Sequence, residues 1–141
     1  MSVRTRRALE RHGLVDYTHR SHQMWAVDAS SADLVVAMAP EHVRWVRDTH
    51  ASAASRTATI KRLARDLPGV NRATLTERLA ALHLADVELT DCEEVVDPAA
   101  GEQPEFDACA DELDVLVTSL IAALDGPPQP EISRSEHGRP V

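Results

Sequence analysis

Aromatic residues are scarce in this sequence: one Phe, one Tyr and two Trp make up 3% of 141 residues. A core built with so few rings must come from Leu, Val, Ala and Ile, and the 43% apolar fraction holds enough of them for one ordinary domain. Cysteine is nearly missing too. Cys92 and Cys109 alone give neither a disulfide framework nor a zinc-ligand spacing. Long apolar runs are absent. The longest, "LVVAMA" at 34–39, has six residues, against the ~18 a membrane-crossing helix needs. The opening "MSVRTRRALERHG" has no apolar stretch of the length a secretory signal carries, so the expected location is the cytoplasm. Basic charge is short in the second half. Residues 71–141 carry 4 Lys/Arg against 16 Asp/Glu, whereas residues 1–70 carry 11 against 7. A net charge of −8 does not suit non-specific nucleic-acid binding, which works by neutralising phosphates. The basic first half can still present a local anion-binding face.

What is present is ordered punctuation. Ser2 suits a helix N-cap and Gly13 a left-handed stop, which predicts a short basic helix over 3–12. "VDYTHRSHQMW", 15–25, reads as a polar loop. "ADLVVAM", 32–38, is a short continuous apolar run, the pattern of a strand buried on both faces of a parallel sheet. Pro40 then fits a first helical position, with Val43 and Val46 three apart on one side. Strand, turn and helix in that order open a βαβ unit. A second short strand is expected in "RTATI", 56–60, followed by a helix in "KRLARDLP", and 74–84 reads as helical again. The clearest element is the last. Phe106, Cys109, Ala110, Leu113, Leu116, Val117, Leu120, Ile121 and Leu124 recur at helical spacing. Pro104 starts that helix and acidic residues fill its first turn, where the dipole favours them. The chain divides at 125: residues 1–125 form the domain, and 126–141, with four prolines, form a tail expected to be disordered.

The order of pieces is distinctive. "RRALERHGL" leads to "THRSHQM", then "ADLVVAMAPEHVRWV", then "RTATIKRL", and "DPAAGEQPEF" opens the closing helix. This resembles the low-molecular-weight protein-tyrosine phosphatase family, which shares its fold with some arsenate reductases, over roughly residues 4–124. The Asp-Pro loop is the most specific piece, with Asp97, Pro98, Gly101 and Phe106 at the family's spacing. The resemblance implies a doubly wound, mainly parallel α/β sheet with helices on both faces. It implies hydrolysis of a phosphotyrosine protein or a small phosphoester, without a cofactor. A cysteine thiolate attacks phosphorus, and an aspartic acid protonates the leaving group and then helps water cleave the phosphocysteine. Asp97 is that acid by resemblance. Pro98 narrows its backbone choices, and Asp91, Glu93 and Glu94 would favour its protonated form if they lie close in space.

The family's defining motif, a cysteine, five residues, an arginine and a Ser or Thr, is absent from the 141 residues. Six positions after Cys92 stands Pro98, and six after Cys109 stands Val115. The sequence is expected to begin where the family's second helix would be, leaving out the first strand, phosphate loop, first helix and second strand. Two explanations fit: a start that lies upstream, or a truncated relative that no longer catalyses. In either case the strand at 32–38 is expected to have an open apolar edge, available for self-association or a protein partner. Ala99 stands where the family has an aromatic beside the substrate ring. The remaining residues have plainer readings. His12, His19 and His22 lack the spacing of metal ligands. Trp25 and Trp45 suit anchors of an aromatic-poor core, and Arg4, Arg6, Arg7 and Arg11 a solvated helix face. Cys109, on the apolar stripe, suits a structural role. A rival class is a helix-turn-helix DNA-binding regulator: in 59–82, "PGV" would turn and Asn71, Arg72 and Thr74 would open a recognition helix. The acidic segment that follows opposes it.

Overall fold

The computed structural model describes residues 1–14 and 17–125. The tail assigned to 126–141 lies outside the described residues. Helix α1 spans Val3–Arg11. The Ser2 hydroxyl accepts the Thr5 N–H at 3.0 Å. Gly13, at φ +70°, sends its N–H to the Glu10 carbonyl while Leu14 reaches Leu9, both at 3.0 Å. That pair of bonds is a Schellman ending, and only glycine enters the left-handed region there without strain.

Helix α2, Ala26–Ser31, follows immediately on the segment expected to be a loop. The Trp25 N–H donates to the Asp28 carboxylate at 2.8 Å, so a carboxylate inside the first turn starts this helix. Strand β1 is Val35–Ala37, shorter than the apolar run around it. Pro40 opens α3, Pro40–Thr49, and buries Val43 and Val46. A 3-10 turn over Ala51–Arg56 leads to β2, Thr57–Thr59. The strands pair in parallel, with Val35, Val36 and Ala37 opposite Thr57, Ala58 and Thr59. This completes one βαβ unit, so the chain is α/β, with a two-stranded sheet among the described residues. All of β2 is buried, whereas Val35 and Val36 remain half-exposed.

Helix α4, Ile60–Asp66, is capped by Thr59, whose hydroxyl accepts the Arg62 N–H at 3.2 Å. A 3-10 turn at Leu67–Gly69 precedes α5, Leu75–Ala81. Thr74 and Glu77 close a reciprocal capping box on α5. Helix α6, Gln103–Leu124, is the longest element at 22 residues. The core is in two parts. Leu34, Val36 and Met38 enter the larger cluster, with Ala58, Ile60, Leu63, Leu67, Leu79, Leu84, Val95, Leu120 and Ala123. Val35, pointing the other way along the strand, enters a smaller cluster with Ala29, Val46 and Ala53.

Three expectations change. Trp25 and Trp45 are exposed and belong to neither core cluster. The apolar stripe of α6 is wider than its contacts. Leu120 and Ala123 are buried, but Val117, Ile121 and Leu124 are not. The basic face of α1 is not purely solvated either. Arg4 pairs with Glu102 at 2.6 Å and Arg11 with Asp107 and Asp111 at 3.4 Å each, so α1 lies along α6.

Candidate functional site

The segment 91–101 passes over the carboxyl ends of both strands, which is where open α/β sheets place their ligands. Two anchors hold it. At β1, the Val95 N–H donates to the carbonyl of Met38, the residue after the strand, at 2.8 Å. At β2, the Glu93 side chain is only 2% exposed and meets the strand's last residue. Its Oε2 accepts from the Thr59 hydroxyl and from Arg62 Nε, each at 3.1 Å. Its Oε1 takes Arg62 Nη2 at 2.6 Å and Arg65 Nη2 at 3.4 Å. A buried carboxylate requires this many partners to offset its lost hydration. Arg62 also donates to the Glu88 carbonyl at 2.7 Å, tying the incoming chain to the same point. Arg65 is locked to Asp66 at 2.6 Å. That bond raises the Arg65 guanidinium and holds the Asp66 carboxyl below its ordinary range.

Sequence reasoning missed this clamp. The sequence groups Glu93 with Asp91 and Glu94 as charges that would act on Asp97 if close in space. The structure turns Glu93 inward to two arginines instead. Nothing in "DCEE" separates Glu93 from the exposed Glu94. The usable signal lies elsewhere: Arg62 and Arg65 on α4 flank its buried Leu63, so their fork-shaped donors reach past the helix start.

Two residues beyond Val95, Asp97 is exposed. Its Oδ1 accepts the Ala99 N–H at 2.9 Å, an Asx turn that Pro98 stiffens. Gly101 follows at a close approach. A Cβ there would stand 2.8 Å from the Glu105 Cβ, which explains the glycine without any unusual φ. Glu105 sits there because its carboxylate accepts the Glu102 N–H at 3.0 Å and starts α6. Asp97, Pro98 and Ala99 border a cavity of about 630 Å³ between α1 and α6, walled by Leu9, Phe106, Leu113 and Val117. Asp97, Pro98 and Phe106 thus line one cavity.

Cys109 lines the same cavity. Burial pushes its thiol up, and the Glu112 and Asp97 carboxylates add to that, so the thiolate a nucleophile needs is disfavoured. Cys92 is exposed, and its sulfur lies 3.1 Å from the Thr90 hydroxyl. His12 is half-buried, with Nε2 2.8 Å from Asp111, while His22 is 3.7 Å from Asp28. Among the described residues no group of three or more His, Cys, Asp or Glu is placed to hold a metal ion. In the helix-turn-helix region Asn71 and Arg72 are exposed and Thr74 caps α5. Arg78 instead turns inward and donates to the Leu67 carbonyl at 3.0 Å. Among the described residues no helix is long and apolar enough to cross a membrane. No family model, curated protein or solved structure matches the chain.

Proposed function

We propose that the chain is a relative of the low-molecular-weight protein-tyrosine phosphatases, with Asp97 in the position of their general acid. In this reading the β1–α3–β2 unit belongs to a doubly wound sheet. The observation that carries it is the anchoring of the Asp-Pro loop. Val95 is bonded to the residue after β1 and Glu93 to the end of β2, and Asp97, exposed and held by the Ala99 N–H, borders a cavity of ligand size. A carboxyl held on a fixed loop, exposed and beside an apolar wall, can protonate a leaving oxygen. In the family's mechanism that acid is not the nucleophile, which is a cysteine thiolate. With no Cys-x5-Arg in the sequence and Cys109 biased toward its thiol form, these 141 residues do not turn over phosphoesters by the cysteine route. A phosphotyrosine protein or small phosphoester is the substrate class only when a nucleophile loop is supplied from outside this sequence.

A second reading, a non-catalytic partner-binding relative, is supported by β1. Its ladder runs on one side alone among the described residues, and Leu34, Val35, Val36 and Met38 stay half-buried. The helix-turn-helix alternative has less support. Arg78 is withdrawn from any phosphate, and residues 86–97 are acidic.

The test joins two measurements on protein from its native source: intact mass and hydrolysis of p-nitrophenyl phosphate. A mass matching 15.4 kDa with no hydrolysis is the expected behaviour of the chain as given. A larger, active protein should lose activity on Asp97→Asn, and lose more with phenyl phosphate, whose leaving group needs the proton more. Activity indifferent to Asp97→Asn sinks the assignment.

A further inference from the structure

The outer face of α6 offers a docking surface. Along this helix Phe106, Ala110, Leu113, Val117, Ile121 and Leu124 form one stripe, adjacent to the core-facing row of Cys109, Leu116, Leu120 and Ala123. Helix α1 covers only the first part of the stripe. The last contacts at this end are those of its C-cap, His12, whose Nε2 lies 2.8 Å from Asp111 and Nδ1 3.7 Å from Asp114. Beyond that point Val117, Ile121 and Leu124 are 43%, 54% and 38% exposed. They span two helical turns, ~10 Å, the contact length of a helix crossing ridges into grooves.

The charge around the stripe selects the occupant. Asp107, Asp111 and Asp114 line one flank and are the groups α1 grips with Arg11 and His12. Asp125 continues that row past the reach of α1. The last turn of α6 has no basic residue, so none of the helix's own side chains offsets the negative end of its dipole. A second copy of α6 would bring like charges together. A basic amphipathic helix would not, and α1 is the example already in place. We infer that the carboxyl-terminal half of α6 binds an amphipathic helix of a partner protein, with Leu-type residues on Val117, Ile121 and Leu124 and Lys or Arg along its flank. This does not depend on the role of Asp97.

The probe is a fluorescein-labelled 18-residue peptide of Leu and Lys, with Leu at i, i+3, i+4 and i+7, read by anisotropy on the full chain. A counterpart has Glu for every Lys. The Lys peptide should bind saturably, and more weakly as salt rises. Ile121→Asp should weaken it about tenfold or more, because an apolar contact is lost. Ser119→Asp, which adds the same charge at an exposed site off the stripe, should leave it unchanged within about twofold. Charge attraction alone predicts the reverse, equal or tighter binding to Ile121→Asp, and that result overturns the inference. So does equal binding of the Glu peptide, no binding of either, or a dimer in sedimentation that Ile121→Asp dissociates, which would make the occupant a second copy. The variants are exposed positions, and matching circular dichroism shows that they fold.

Discussion

Replacing Glu93 by Gln is the sharpest perturbation of this structure. The substitution keeps shape and removes charge. The wild-type carboxylate is 2% exposed and holds Arg62, itself only 13% exposed, through contacts of 2.6 and 3.1 Å. It also accepts from Thr59 at 3.1 Å. Removing one partner of a buried ion pair costs roughly 3–5 kcal/mol, because the other charge stays buried. The cost here belongs at the low end, ~3 kcal/mol. Arg62 keeps the Glu88 carbonyl, Arg65 keeps Asp66, and glutamine can still accept from Thr59. Domains of this size have about 5–15 kcal/mol in total. With a urea m-value of ~1.5 kcal/mol/M, the midpoint should fall by roughly 2 M. Glu94→Gln, one residue on and exposed, should stay within ~0.5 kcal/mol. Hydrogen exchange adds the local readout. The Val95 N–H, bonded to Met38, should exchange faster in Glu93→Gln even at matched global stability. A midpoint within experimental error of wild type, or unchanged Val95 exchange, would refute the claim that this carboxylate fixes the loop.

Gly101→Ala should destabilise by about 1–3 kcal/mol, since the new Cβ meets the Glu105 Cβ at 2.8 Å and neither atom is the end of a flexible side chain. A thermal melt that does not move would show that the loop yields freely. The Asp66 carboxyl is held low by Arg65, so its stabilising contribution is present above the unfolded carboxyl pKa of ~3.9 and is lost as pH falls through its lower folded value. The melting difference between wild type and Asp66→Asn should therefore be flat above about pH 5 and shrink below about pH 4. A difference that grows on acidification reverses the sign and discards the pairing.

The elements that could be read from the sequence are those whose cause is local. Ser2 and Gly13 bracket α1, Pro40 opens α3, and the regular apolar spacing of 106–124 yields α6. Helix α2 escaped because its start is made by Asp28 reaching back to Trp25, with no Ser, Thr or Asn before the first turn. The turn at Asp97 and Pro98 is legible because its cause, a carboxylate accepting the N–H two residues on ahead of a proline, is local. The Glu93 clamp joins positions 31 and 34 residues apart, and an acidic run gives no sign of which member turns inward. Periodicity likewise marks every apolar position of α6 without saying which neighbour reaches it, so it does not separate exposed Val117, Ile121 and Leu124 from buried Leu120 and Ala123.

The contact between α1 and α6 also bears on how the chain is made. Arg4 and Glu102 are 98 positions apart, while β1, α3 and β2 lie within one short stretch. At ~5–20 residues per second, α1 leaves the ribosome roughly 5–20 s before its acidic partner exists. During that interval its Arg row meets only solvent and whatever else is near. Closing so long a loop is also a slow, late step. On a newly made chain α1 therefore stays without its acidic partner until α6 has been synthesised.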